Sequence, residues 1–208
     1  MSRPVVHQAA ALLLGYPDED WHARLRTVRA ALEPVPGADV GLLLGFCDRA
    51  GGRAPLEWAA RYVATFDRSR RRCLYLTYYT DGDTRRRGAA LARVKALYRE
   101  HGWQPPADEL PDFLPLMLEF AARAPEAGTR LLTEYRPGLE LLRFALAAHR
   151  SPYADVVEAV CRTLPGRGPS SRKEALELAR TGPPTESVGL LPYPQSTPGT
   201  PHRQETPR

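Results

Sequence analysis

The chain has 208 residues, a formal net charge of +5 and an isoelectric point near 9.3. Apolar and aromatic residues make up 43% of it, which is enough for a core, and the length suits one domain with a tail. Its three cysteines lie far apart without a CxxC pair, which excludes a disulfide-stapled secreted scaffold. The apolar run ending at Leu14 is too short for a membrane span, so we expect a cytoplasmic protein without stable membrane insertion.

Helical spacing of apolar residues predicts four helices in the first third of the chain. Gly or Pro residues separate these helices, and Asp18 is a suitable cap for the second. In the fourth helix Trp58, Tyr62 and Phe66 recur every four residues, which predicts that they face the core. The four helices cover about residues 5–14, 19–32, 38–48 and 55–66.

The segment from Cys73 to Thr80 is rich in β-branched and aromatic residues, which favours a strand. No second strand-like segment is apparent in the sequence, and an isolated strand is not stable. We therefore predict that this segment is helical despite its composition. Arginine triplets lie on both sides of it, at 70–72 and 85–87, and the next helix has Asp83 or Thr84 as its cap.

Residues 109–125 carry apolar side chains on two faces of a helix, which predicts a central, buried helix. Pro115 is compatible with this helix if Asp112 is its N-cap, because Pro115 then falls in the first turn. A long helix is predicted next, with a kink or break at Pro137 and Gly138. This helix and the two that follow it cover about residues 129–149, 152–164 and 171–180.

The sequence as a whole predicts an all-α fold, with about eight helices in one compact domain at residues 1–165. Residues 166–180 are expected to form a short polar helix or a linker. Residues 181–208 are rich in Pro, Thr, Ser and Gly, and they contain too little apolar surface to offset the entropy of ordering. We therefore expect a disordered C-terminal tail.

No catalytic or metal-binding motif is apparent, which indicates that the protein is not an enzyme. Arginines interleaved with tyrosines suit binding to single-stranded nucleic acid, in which bases stack on aromatic rings. Asp67, Asp81 and Asp83 interrupt that positive charge, however. The alternative is a groove between helices that takes an amphipathic helix of a partner protein. Composition and spacing leave both alternatives open.

Two stretches carry a resemblance to a known family. YVATFDRSRRRCLYLTYYTDGDTRRRGAAL and LPDFLPLMLEFAA closely resemble the nitrate reductase molybdenum cofactor assembly chaperones, also called delta subunits. These belong to the wider group of helical chaperones for molybdoenzymes. The motifs are TFD, LYL, GD(S/T)RxRG and ELPDxLPxxLEF, in this order and spacing. The resemblance covers about residues 5–164 and implies an all-α fold.

The resemblance also implies a function. Such a protein is a cytoplasmic chaperone that binds the N-terminal segment of the catalytic alpha subunit of respiratory nitrate reductase. It holds no cofactor of its own, and it assists the insertion of molybdenum guanine dinucleotide into its client before membrane docking. A different molybdoenzyme client and nucleic-acid binding are the alternatives. We expect a monomer or weak dimer without a nucleic-acid partner.

Eight residues in or beside these motifs are predicted to line the client groove. The tyrosines combine an apolar body with a polar tip, and the carboxylates are expected to select basic residues of the client. No catalytic residue and no metal ligand is predicted. The eight residues are Asp67, Tyr75, Tyr78, Tyr79, Asp83, Arg87, Asp112 and Glu119.

Overall fold

The structure is a computed structural model that describes residues 3–181. Eleven α-helices and no strand form within these residues, which confirms the all-α prediction but exceeds the predicted number of about eight. None of these helices is long and apolar enough to cross a membrane. They are α1 (Arg3–Leu14), α2 (Trp21–Leu32), α3 (Ala38–Gly51), α4 (Pro55–Tyr62), α5 (Thr77–Asp81), α6 (Arg85–Glu100), α7 (Leu114–Arg123), α8 (Pro125–Glu134), α9 (Arg136–Ala148), α10 (Tyr153–Thr163) and α11 (Arg172–Thr181).

The core is centred on α7, which packs against α1 and α8. Met117, Leu118 and Phe120 of α7 are completely buried, which confirms the prediction of a central helix. The break predicted within residues 129–149 is present: two helices, α8 and α9, meet at Tyr135, two residues before Pro137. Pro137 explains the break, because a proline is tolerated in the first turn of a helix but not in its interior.

An aromatic cluster joins α2, α3, α4 and α10. Phe46 lies between Trp58 and Tyr153, with ring centroids 5.3 and 5.2 Å away. The predicted stripe of Trp58, Tyr62 and Phe66 faces this cluster, as expected. After Tyr62 the helix widens into one π-helical turn, Val63–Asp67. This turn keeps Phe66 buried while it brings Asp67 to the surface.

The prediction for Cys73 to Thr80 is wrong in its first half. Cys73 is extended, Tyr75 forms a backbone bridge, and α5 begins only at Thr77, with Leu76 already in helical backbone geometry as its N-cap. The partner of this segment is the loop before α7: Leu76 N donates to Asp112 O (3.1 Å), and Leu114 N donates to Leu74 O (2.8 Å). A single antiparallel bridge between Tyr75 and Phe113 results. Sequence reasoning missed the pairing because that loop has no strand-like composition.

The predicted cap at Asp112 is also wrong. Helix α7 begins at Leu114, with Pro115 still in its first turn, and Asp112 lies before the helix with no exposed surface. Its Oδ2 accepts hydrogen bonds from Thr77 N (3.2 Å) and Thr77 Oγ1 (2.5 Å). At the start of α6, Thr84 occupies the N-cap position, but its hydroxyl donates to Asp81 O and does not cap the helix.

The helix predicted near residues 171–180 is present as α11, which packs on α9 and α5. Its Ala175 and Ala179 are buried against Leu141. Arg136 binds the connection between α10 and α11, because its guanidinium donates hydrogen bonds to the carbonyls of Pro165 and Gly166. The tail predicted for residues 181–208 lies outside the described residues, apart from Thr181 at the end of α11.

His7 of α1 gives a testable pH dependence. Its ring is 1% exposed, its Nε2 lies 2.7 Å from Thr163 Oγ1, and burial lowers its pKa from 6.5 to about 4. As the pH falls from 6.5 to about 4, the unfolded chain gains a proton that the folded chain does not. We expect this one group to remove about 3 kcal/mol of stability over that range.

Urea unfolding of the protein at neutral pH and near pH 4 measures this loss. His7→Gln cannot titrate, so the variant is expected to lose about 3 kcal/mol less than the original protein between the two conditions. Equal losses in the two proteins would contradict the assignment to His7.

Candidate functional site

A surface groove of about 550 Å³ opens between the α1–α2 connection, the π-helical turn and the extended segment after it. Five of the side chains that line it are aromatic and two are acidic. We call it the aromatic groove. It is lined by Tyr16, Tyr62, Phe66, Asp67, Ser69, Arg70, Cys73, Leu74, Tyr75, Glu109 and Phe113.

The aromatic side chains form two walls of the groove. Tyr16 is half exposed and meets Tyr62 edge to face at 5.4 Å, and Tyr62 contacts the buried Phe66 at 4.8 Å. Tyr75 and Phe113 form the second wall, with ring centroids 5.4 Å apart. The backbone bridge between these two residues fixes their side chains on one face. The groove therefore offers a preformed apolar surface that is continuous with the core.

Two carboxylates lie beside these walls. Asp67 is exposed at the end of the π-helical turn. Glu109 Oε1 accepts hydrogen bonds from the Tyr75 hydroxyl (3.0 Å) and from Leu110 N (2.9 Å). Burial, reinforced by Glu109, raises the pKa of Tyr75 to about 12, so its hydroxyl keeps the proton that it donates. Neither carboxylate forms a salt bridge with another residue in the 3–181 range.

This combination suits a particular ligand chemistry. Aromatic walls bury aliphatic or aromatic side chains of a peptide, and carboxylates that form no salt bridge within the described residues attract lysine or arginine. A cation held near Asp67 would also lie close to aromatic ring faces, which adds a favourable cation–π contribution. The groove therefore fits a peptide segment that is apolar on one side and carries a basic residue.

The structure brings only two of the eight predicted site residues, Asp67 and Tyr75, into the aromatic groove. Tyr78 and Tyr79 line a different cavity, beside α9 and α11. The hydroxyl of Tyr79 is occupied there, because it lies 3.1 Å from Arg71 O and 3.0 Å from Cys73 O. These residues line separate cavities because adjacent residues in an extended segment and a short helix point in different directions.

Three further predicted residues form an internal network. Asp112 is completely buried, so in this conformation it cannot touch a client. Arg87 reaches it from α6: its Nε donates to Thr77 Oγ1 (3.1 Å) and its terminal nitrogen lies 3.8 Å from Asp112 Oδ2. Asp83 is exposed and lies 3.5 Å from Arg87. The network positions the segment that carries Tyr75 and is not part of the groove surface.

Glu119, the last predicted residue, lies on α7 and pairs with Arg123 at 2.8 Å, outside the groove. Sequence reasoning missed Tyr16, Glu109 and Phe113 as groove residues. Glu109 and Phe113 fall within the ELPDxLPxxLEF stretch, so the motif contained a signal for them. Tyr16 carried no comparable signal, because it reaches the groove only through the packing of α1.

The chain is similar in sequence and in fold to known proteins. Residues 18–159 match the family described as nitrate reductase delta subunit. Over 168 residues the chain is 34% identical to the probable nitrate reductase molybdenum cofactor assembly chaperone NarJ of Bacillus subtilis, a match that covers 80% of this chain and 91% of that protein. It is 36% identical over 146 residues to the chaperone NarJ of Escherichia coli K12, covering 68% of this chain and 62% of that protein.

The chain is also 45% identical to the nitrate reductase-like protein NarX of Mycobacterium tuberculosis. The 160 matched residues are 76% of this chain but only 24% of that longer protein. Among solved structures, a putative redox enzyme maturation protein from Archaeoglobus fulgidus superposes with a TM-score of 0.58 at 22% identity. The superposition covers 77% of this chain and 92% of the Archaeoglobus protein, which shows that the two proteins share a fold.

Proposed function

Because this chain belongs to the nitrate reductase delta subunit family, we propose that it is a molybdenum cofactor assembly chaperone for a nitrate reductase. The observation that carries this proposal is the match over residues 18–159, which contain every aromatic-groove residue except Tyr16. The two NarJ relatives are named as assembly chaperones, in agreement with the expectation that the chain is not an enzyme.

The finer proposal concerns the client and the timing. The client is the N-terminal segment of the reductase alpha subunit, and binding takes place in the cytoplasm before membrane docking. The chaperone holds no cofactor itself and keeps the client open for insertion of molybdenum guanine dinucleotide. The support for peptide recognition is the aromatic groove, with its two carboxylates that have no salt-bridge partner among the described residues.

In this proposal the apolar face of a client helix lies on Tyr16, Tyr62 and Phe113. Each aliphatic side chain that the groove buries contributes about 1.5–3 kcal/mol, part of which the ordering of the peptide offsets. Asp67 and Glu109 attract a basic client residue, which affects mainly orientation and the rate of association. Affinity therefore depends mostly on the aromatic walls and selectivity on the two carboxylates.

Titration calorimetry with a peptide that copies the N-terminus of the host reductase alpha subunit tests the proposal. We expect saturable binding to the full-length protein. Tyr16→Ala and the double variant Asp67→Lys with Glu109→Lys are each expected to weaken it about tenfold or more, equivalent to about 1.4 kcal/mol. Tyr16 is half exposed, so its replacement should leave the fold intact.

The matched control for the charge change is Glu126→Lys, an exposed position on α8 that does not line the groove. This variant is expected to bind the peptide within twofold of the original protein. Absence of any binding by the original protein would contradict the proposed client. Equal weakening by Glu126→Lys and by Asp67→Lys alone, the single charge reversal that it matches, would show a general charge effect and contradict the proposed groove.

A further inference from the structure

A second cavity, of about 450 Å³, lies between the 3-10 turn Arg70–Arg72 and helices α9 and α11. It shares Arg70 with the aromatic groove but has the opposite charge. Its floor is apolar, its rim is basic, and no acidic residue lines it. We call it the arginine pocket; the residues that define it here are Arg70, Arg71, Arg172, Leu141, Phe144 and Leu176.

The charges at the rim are available to a ligand. Within residues 3–181, the side chains of Arg70, Arg71 and Arg172 form no salt bridge and donate no hydrogen bond. Arg143, on the same helix as Leu141 and Phe144, behaves differently, since it pairs with Glu140 at 2.7 Å and Glu158 at 3.1 Å. Three arginine side chains that form no salt bridge and donate no hydrogen bond within the described residues therefore line one cavity.

The backbone of this rim is held in place. The hydroxyl of the partly buried Tyr79 lies within hydrogen-bond distance of Arg71 O and Cys73 O, and burial raises its pKa, so it remains a donor. Arg72 Nε donates to Thr65 O at 2.8 Å and ties the turn to the π-helical segment. These hydrogen bonds fix the backbone of the turn that carries the exposed residues Arg70 and Arg71.

We infer that the arginine pocket is a docking site for an acidic, partly apolar segment of another protein. Arginine forks bind carboxylates through paired hydrogen bonds, and the floor of Leu141, Phe144 and Leu176 receives an aliphatic or aromatic side chain. Basic residues next to the rim in sequence, Arg68, Arg150 and Lys173, are exposed as well. The positive surface is therefore larger than a single small anion requires.

A protein segment fits the cavity better than a nucleic acid does. Single-stranded nucleic acids are held by successive aromatic platforms on which the bases stack. Here the floor is mostly aliphatic, and the Tyr79 ring is packed against the core with its hydroxyl occupied. Of the other rings in the lining, Phe144 has the Arg143 guanidinium over it at 4.1 Å, and Tyr78 and His149 are at least partly exposed. The chemistry of the site is complementary to carboxylates with apolar neighbours.

The test uses full-length protein and a fluorescent helix-forming peptide that carries four glutamates, two leucines and one phenylalanine. Fluorescence anisotropy is expected to show saturable binding that weakens at least tenfold when the glutamates are replaced by glutamines or the apolar residues by serines. Arg71→Glu and Arg172→Glu are each expected to weaken binding at least tenfold. Arg86→Glu, an equal charge change at an exposed position of α6 outside the pocket, should change it less than twofold.

Several outcomes would overturn the inference: no saturable binding, equal binding of the glutamine peptide, or equal weakening by Arg86→Glu. Tighter binding of an oligothymidylate than of the acidic peptide would assign the pocket to nucleic acid instead. The inference is independent of the proposed function. Tyr16→Ala, which lies only in the aromatic groove, is expected to leave binding of the acidic peptide unchanged, so the two sites can fail separately.

Discussion

Asp112→Ala is expected to lower the free energy of unfolding by about 3 kcal/mol or more, because one partner of a buried polar network disappears. Asp112 and Thr77 are both completely buried, and the carboxylate accepts from the Thr77 amide and hydroxyl. Alanine would leave these two donors without a partner in the interior. It would also leave Arg87 without its buried counter-charge, 3.8 Å away.

Urea unfolding followed by circular dichroism measures the loss. Asp112→Asn keeps the shape and one acceptor oxygen, so it is expected to cost less than the alanine variant, about 1–2 kcal/mol. Asp108→Ala, in the exposed part of the same loop, should lie within about 0.5 kcal/mol of the original protein. Equal stability of Asp112→Ala and Asp108→Ala would contradict the role of the network.

The same network predicts a pH effect. Burial raises the pKa of Asp112 above 3.8, and this outweighs the hydrogen bonds from Thr77 and the charge of Arg87. The unfolded chain therefore releases the proton at a lower pH than the folded chain does. Stability from this group is complete below pH 3.8 and is lost as the pH rises through the raised folded value. Asp112→Asn is expected to remove this part of the pH dependence.

Gly128→Ala is expected to destabilise the protein by about 3 kcal/mol, at the upper end for overpacking of a core. Gly128 lies where α8 crosses α7, and an added Cβ would stand 2.2 Å from Ala121 Cα. The obstacle is backbone in the central helix, so it cannot turn aside as a flexible side chain can. The two helices would have to separate, and apolar contacts on both would be lost.

Thermal unfolding of matched glycine variants tests this expectation. Gly41→Ala, on α3, places its methyl group where no atom lies within 4 Å. Alanine is the better helix former, so this control is expected to be neutral or to gain up to about 1 kcal/mol. If both variants changed stability in the same direction and by the same amount, close packing at Gly128 would be excluded as the cause.

Much of the fold was predictable because it depends on local pattern. The stripe of Trp58, Tyr62 and Phe66 was correctly assigned to the core from its four-residue spacing. The buried helix α7 was recognised from apolar residues on two of its faces. Proline positions anticipated the break between α8 and α9. These features follow from the helical repeat and from backbone sterics, which act within a few residues.

The candidate site was less predictable because its contacts join distant residues. Cys73 to Tyr75 lie outside a helix because the loop before α7 supplies hydrogen-bond partners to this segment from 35 or more residues away. Asp112 was expected at the surface as a cap, and it is instead the buried acceptor of that contact. No local propensity encodes such a pairing, since each half depends on the other being in place.

The all-α class, most helix positions and, through its motifs, the family follow from the amino-acid sequence. The division of the stretch around Arg70 between two cavities of opposite charge depends on tertiary packing. Asp67 and Tyr75 line the aromatic groove, while Tyr78 and Tyr79 line the arginine pocket. The physical reason is the direction in which the side chains point. In this short run the backbone changes between 3-10, extended and helical geometry, so neighbouring side chains point to different faces. Packing against α7, α9 and α11 selects those faces.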